Sequence, residues 1–302
     1  MSTNRISTHT SMSRLITENM RLQSAMAETQ MQLSSGLKSM NYKGISDVTQ
    51  KLLNVESNYT ALETYDLNSK AVNSSVSIMY SSVGSMVQLA NNFKTTLTQA
   101  LGGSMLNPQV THDQAKLLME ETVGLLNVQS AGNYLFSGST IDVVPVDIND
   151  PAWTAPTVPS VPNDSYYQGN NQIHSLQVSE SLTINYGVTA NNPAFEKILR
   201  AYNMVVAHPA DTNAIKEASD LISEGIKEMA NVQAQISTAA KTIENQQSRN
   251  AEDKLVMKNI IADFKAADLA ETTLRQAEIK TQIEAAYASS VKLINLKLTD
   301  YI

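Results

Sequence analysis

The sequence predicts a mainly α protein, a long coiled-coil helical hairpin built from both termini with a small β-rich tip domain inserted between its arms. Apolar residues recur at 3–4 spacing toward both ends of the 302-residue chain, the period of a helix that packs lengthwise on another. Between residues 133 and 188 the period changes to two, the signature of short strands. Bulky core fillers are scarce, with aromatics at 5% and a single Trp against 13 Met, a composition of long helix seams more than of a compact enzyme core.

Taken in order, segment 1–45 is read as an N-terminal assembly helix. Leu15, Leu22, Met26, Leu33 and Leu37 stand at intervals of 7, 4, 7 and 4. The Gly- and Asn-containing stretch Asn41 to Asp47 breaks it. Segment 46–132 holds core helices. Val55, Tyr59 and Leu62, then Val76, Met79, Val83, Met86, Ala90, Phe93, Leu97 and Ala100, form one helix of about fifty residues, roughly 75 Å long. Gly102-Gly103 stops it. A third helix is expected from near Thr111, where Thr111 and Gln114 have capping-box spacing after Pro108, to about Ala131.

Segment 133–190 is the exposed tip, with strands expected at Tyr134–Phe136, Ile141–Val146, Tyr166-Tyr167, Ile173–Val178 and Leu182–Tyr186. Five of the eight prolines fall between Pro145 and Pro162, together with Trp153, so this excursion is rich in loops. Segment 191–265 returns to core helices. Asn192-Pro193 supplies a cap and a first-turn proline for a helix to Ala207. Ile222, Gly225, Met229, Val232, Ile236, Ala239 and Ile243 resume the 3–4 alternation, which extends through Met257 and Phe264. Segment 266–302 is the C-terminal assembly helix. In it Ile279, Ile283, Ala286, Ser290 and Leu293 run at 4, 3, 4 and 3, and Tyr287, Leu296 and Leu298 add apolar surface.

Both terminal seams dilute Leu and Ile with Met, Ala, Ser and Thr, so an isolated pair buries little apolar area per turn and needs further copies. The expected assembly interface is Leu15, Leu22, Met26, Leu33, Ile279, Ile283, Tyr287, Leu293, Leu296 and Leu298.

A net charge of −7 without a basic cluster argues against nucleic acid and against anionic membrane as partners. No run of eighteen apolar residues predicts a span, and the first residues lack the pattern of a cleaved signal. The chain has no cysteine, which suits passage between redox environments. No cofactor, metal or catalytic constellation is expected. His9, His112, His174 and His208 are scattered, Glu120-Glu121 are helix neighbours on different faces, and Gly102-Gly103 lacks a phosphate-loop Lys. Tyr166-Tyr167 beside Gln168-Gly169-Asn170 reads as an edge strand and turn more than as a sugar platform.

Asn4 to Ser7 with Gln32 to Lys38, Ala131 to Gly138, Ala190 to Phe195 and Leu293 to Ile302 are four short motifs that, in this order, resemble the bacterial flagellin family, and within it the hook–filament junction group. Asn4-Arg5-Ile6-Ser7 with Gln32-Leu33-Ser34-Ser35-Gly36-Leu37-Lys38 resembles the family's "RIS…QLSSGK" signature. Ala131-Gly132-Asn133-Tyr134-Leu135-Phe136-Ser137-Gly138 is similar to its "YLFAG" exit from the core helices. Ala190-Asn191-Asn192-Pro193-Ala194-Phe195 resembles the re-entry, and Leu293 to Ile302 the "LSLLNYL" close of junction proteins. Two departures stand out. An acidic pair downstream of Ser-Ser-Gly is reduced to Ser46-Asp47-Val48, and Met86 to Leu97 lacks the Arg residues through which some flagellins meet innate receptors.

The resemblance implies an axial flagellar subunit, exported through the flagellar secretion apparatus with an export chaperone and assembling with copies of itself and related axial subunits outside the cell. Its place is expected to be the hook–filament junction. A short flagellin and a secreted coiled-coil adhesin are the alternatives.

Overall fold

The computed structural model describes the backbone of residues 2–102 and 107–299, and the side chains of residues 10–102 and 107–292. Six helices dominate: α1 (Ser2–Ser35), α2 (Thr49–Leu101), α3 (Pro108–Leu126), α4 (Pro193–Ala207), α5 (Thr212–Lys265) and α6 (Leu269–Thr299). Two antiparallel hairpins, β1 (Gln129–Ser130) with β2 (Asn133–Tyr134) and β3 (Ser175–Ser179) with β4 (Leu182–Asn185), complete a mainly α fold with a small β-containing region. The chain divides into two compact units, Met1–Thr60 with Lys254–Ile302, and Ala61–Asp253.

The larger unit, Ala61–Asp253, holds the main core. Val76, Met79, Val83, Met86, Ala90, Phe93 and Leu97 of α2 are all fully buried, so the predicted stripe is the face this helix packs inward. From α5 come Ile222, Met229, Val232, Ile236, Ala239 and Ile243. Helix α4 buries almost its whole surface, with Phe195, Ile198, Leu199, Tyr202, Met204 and Val205 inside and the Tyr202 ring 5.1 Å from Phe93. Each large side chain so buried contributes about 1.5–3 kcal/mol.

Gly225 of α5 lies against α4. A Cβ there would sit 2.6 Å from Ile198 Cδ1 and 3.3 Å from the Ala194 carbonyl. Alanine gains about 1 kcal/mol of helix propensity, yet Ile198 is fully buried and has no free direction to move. Gly225→Ala is therefore expected to lower stability by about 1–2 kcal/mol, read as a lower urea midpoint at unchanged slope.

The boundaries differ from expectation where distant partners decide them. Helix α3 is capped by Asn107, whose side chain accepts from the Gln109 N–H, because Pro108 at the first position requires a cap before it. It ends at Leu126, short of Ala131, because the Asn127 amide exchanges two 2.9 Å hydrogen bonds with the backbone of Val146. Asn192 and Pro193 open α4 as read, the Asn192 side chain accepting from the Ala194 N–H.

The region between α3 and α4 carries less strand than its alternation suggests. Ile141–Val146 is turn and loop, touching Tyr167 through a single bridge at Val146. Leu135 and Phe136 are adjacent and both buried, which a strand with one solvent-facing side does not permit. The β1–β2 turn places Ala131 and Gly132 at φ 51° and 84°, the conformation that a two-residue hairpin of this hand requires.

The outgoing and returning chains meet. Ala190 N–H donates to the Phe136 carbonyl at 2.9 Å, and the Phe136 and Phe195 rings make an edge contact at 5.9 Å. Tyr166 is fully buried and donates its hydroxyl to the Ala190 carbonyl, while Tyr167 donates to Asn170. Desolvation pushes both phenols up, Tyr167 to about 12. Neither ring is a surface platform.

His174 stacks on Tyr186 at 5.7 Å and 16°, half-buried beside β3 and β4. Burial disfavours its cation and lowers its pKa from 6.5. The unfolded chain therefore takes up a proton first as pH falls, so the stability this histidine contributes is present well above pH 6.5 and declines as pH falls through that value. Thermal unfolding at pH 7 and pH 5.5 is expected to show this decline, and His174→Gln is expected to remove its share.

Candidate assembly surface

In the smaller unit the two terminal helices pack side by side. Leu22 of α1 and Ile279 of α6 are buried, at 4% and 6% exposure, and Thr29 and Thr272 are buried with them. The Thr29 hydroxyl donates to the Met26 carbonyl within α1 and that of Thr272 to the carbonyl of Asp268, the residue before α6, which frees the methyl groups to pack. Gln23 donates to the Tyr287 hydroxyl at 2.8 Å across the pair.

The expected interface residues divide accordingly. Leu22 and Ile279 lie in the seam, Leu15, Met26, Leu33 and Ile283 are half-buried, and Tyr287 stays exposed with its hydroxyl engaged. Leu293, Leu296 and Leu298 lie outside the residues whose side chains are described.

The break below this pair is built by backbone pairing. Gly36 takes φ +71° immediately after α1, a conformation glycine adopts without steric cost. Lys38 N–H then donates to the Lys265 carbonyl, and Ala267 N–H to that of Gly36, both at 2.8 Å. Leu37 and Ala266 form the bridge between them. Asp268 caps α6 by accepting from the Ala270 and Glu271 N–H groups. Lys265 reaches Glu56 at 2.6 Å, and Tyr42 donates to the same carboxylate at 2.9 Å. The Lys265 hydrogen bond, then that of Tyr42, holds the Glu56 carboxyl below its usual range despite desolvation. Its stabilising share is present at neutral pH and is lost as pH falls through that lowered value.

A Cβ at Gly36 meets nothing within 4 Å, so any cost of replacing it is purely conformational. Gly36→Ala is expected to weaken the joint by about 1–2 kcal/mol. Faster amide exchange of Lys38 and Ala267 than in the native chain, with the larger unit unchanged, is the measurement that shows it.

The buried apolar side chains described for this unit are Leu22, Ile45, Leu52 and Ile279. Against that sparse interior stand exposed ones. Ile16, Met20 and Met31 of α1 are half exposed or more and fall within about 60° of one another around the helix, turned away from Leu22. On α6, Leu274 and Val291 are 68% and 55% exposed. The assembly interface expected from the sequence covers the seam between the ends and omits this outer stripe. Its signal was present at Ile16, Met20, Ala27 and Met31, spaced 4, 7 and 4.

Among the described residues no group of three or more His, Asp or Glu side chains is placed to hold a metal, and no helix is long and apolar enough to cross a membrane. His112 Nδ1 lies 2.9 Å from its neighbour Asp113, and His208 contacts the Pro156 carbonyl.

No protein-family sequence profile matches the chain. No curated protein matches it by sequence. Solved structures do match it by fold. A Vibrio parahaemolyticus protein assigned as flagellar hook-associated aligns over 72% of this chain and 96% of its own, with TM-score 0.61 at 17% identity. FlgL of Bacillus cereus aligns over 70% and 99%, with TM-score 0.56 at 12% identity. The flagellar junction protein FlgL of Legionella pneumophila aligns over 73% and 99%, with TM-score 0.50 at 11% identity. The chain shares their fold across nearly their whole length.

Proposed function

We propose that this chain is a structural subunit of the bacterial flagellar axis, seated at the hook–filament junction and assembled through its paired terminal helices. The observation that carries the reading is a fold shared with hook-associated and junction proteins, in a chain whose terminal helix pair is thinly filled inside and apolar outside. The seam of Leu22 and Ile279 holds the two ends of one chain together. Neighbouring copies and related axial subunits then cover Ile16, Met20, Met31, Leu274 and Val291, so the cost of ordering the ends is offset on assembly. Contacts between different faces of successive copies propagate a tube and do not close a dimer. No catalytic role is assigned. Export proceeds through the flagellar secretion apparatus, with a chaperone shielding the ends, to the extracellular flagellum.

A strain lacking the gene is expected to make filament protein and shed it into the medium, with hooks left bare under the electron microscope. Loss of the filament protein itself would make the chain a flagellin. Normal flagella and motility would remove it from the axis and favour an adhesin.

A further inference from the structure

All the sulfur of this chain is thioether, with 13 Met and no cysteine. Met79, Met86, Met119, Met204 and Met229 are buried in the larger unit. Met20, Met31 and Met40 are 58%, 50% and 68% exposed, and all three belong to the smaller unit. Among the described residues every other methionine is buried or half-buried. The three exposed ones are also grouped. Met20 and Met31 stand eleven residues apart on α1, which sets them within about 20° of each other on the outer stripe. Met31 and Met40 line one groove of about 340 Å³, between the last turns of α1 and the segment after Gly36, with Ala27 and Leu37 beside them. A thioether inside a core is inert filler, whereas one held in water is open to oxidation.

We propose that Met20, Met31 and Met40 form a modification site, whose oxidation to sulfoxides in the free chain blocks assembly and whose reduction restores it. The proposal rests on the reading above, that neighbouring subunits cover the outer stripe. The oxidant is a hydroperoxide such as hydrogen peroxide. A sulfur lone pair attacks its terminal oxygen, the O–O bond breaks and an S=O bond forms. The proton of the transferred oxygen passes to the departing one, so sulfur loses two electrons and the peroxide leaves as water. No thiol in the chain competes for the oxidant, and Trp153, the single indole, is half-buried. A sulfoxide oxygen in water is hydrated, so the isolated chain loses nothing. Covered by an apolar neighbour it is an acceptor without a donor, which weakens association about tenfold or more for each one buried. Assembly shields the same three sulfurs, so the switch acts on chains not yet in place.

The full-length chain is treated with hydrogen peroxide, and the sulfoxides are located by mass spectrometry. Met20, Met31 and Met40 are expected to oxidise about tenfold faster than the buried methionines, with the thermal midpoint unchanged. Untreated and treated chains are then supplied to cells that lack the gene, and filaments on their hooks are counted by electron microscopy. The treated chain is expected to restore about tenfold fewer filaments, and methionine sulfoxide reductase is expected to return it to the untreated level. A chain carrying Met20→Leu, Met31→Leu and Met40→Leu together keeps the apolar bulk without the sulfur. It is expected to restore filaments equally with and without peroxide. Three results would each overturn the proposal: equal oxidation of buried and exposed methionines, a treated chain as effective as the untreated one, or a triple variant that peroxide still disables. All three arise with an untreated chain that restores filaments. An untreated chain that restores none would instead remove the junction reading, and the assembly switch with it.

Discussion

Leu22→Asp is expected to separate the terminal helices from each other while the larger unit stays folded. Leu22 is 4% exposed, and Ile279 on the facing helix is 6% exposed. The substitution removes an apolar side chain from one of the few filled positions of that unit and sets an unpaired carboxylate in its place. The cost is about 4 kcal/mol, combining lost burial with an uncompensated buried charge. Amide exchange across the terminal helices is expected to rise, and the unfolding transition of residues 61–253 is expected to stay where it was. Assembly is expected to fail. The companion variant is Met20→Asp, at a position 58% exposed on the outer stripe. Its effect on the isolated chain is expected to stay within about 0.5 kcal/mol, yet it too is expected to block assembly, because the proposed neighbour covers that face. Normal junctions with Met20→Asp would leave the inner seam as the whole of the terminal contribution and discard the outer stripe.

The difference between these two variants follows from how unequally the chain distributes its apolar residues. In residues 76–97 every third or fourth position is apolar and fully buried, so the pattern in the sequence and the core in the structure coincide. The same holds for Asn192-Pro193, where the cap needs only local residues. Other features had no local sign. The break between α5 and α6 at Ala266 depends on Gly36 and Leu37, some 230 residues earlier in the chain, and the apolar spacing runs on through it. The end of α3 is set by Asn127 reaching Val146, and nothing in the helical period at Leu125-Leu126 announces it. Alternation also misled where Leu135-Phe136 and Tyr166-Tyr167 pack both neighbours inward, because period two assumes one wet face. For the terminal helices the periodicity was legible on two faces of α1 at once, and spacing alone does not say which face a chain keeps for itself.

Gly138→Ala is expected to be among the most damaging single substitutions in the larger unit, because two independent penalties meet at one residue. Gly138 is buried with φ +68°, a region where an L side chain costs about 1–2 kcal/mol. A Cβ there would also run into the backbone carbonyl and the side-chain oxygen of Asn170. The collision is with main chain that is already committed: Asn170 N–H donates to the Ser137 carbonyl at 3.0 Å, and its side-chain oxygen accepts from the Ser139 and Gln172 N–H groups. Across the same contact a Cβ on Gly169 would meet the Ser137 carbonyl, so neither strand of chain has room to retreat. The motif Tyr134-Leu135-Phe136-Ser137-Gly138 thus has a physical basis. Its apolar middle anchors the exit from the core, and its glycine admits the returning loop at backbone distance. Gly138→Ala is expected to cost about 3–5 kcal/mol, seen as a large drop in the unfolding midpoint of residues 61–253 with the terminal helix pair unaltered. An Ala variant that unfolds within about 0.5 kcal/mol of the native chain would mean that the loop at Asn170 is free to shift, and would remove the close crossing as the reason for the glycine.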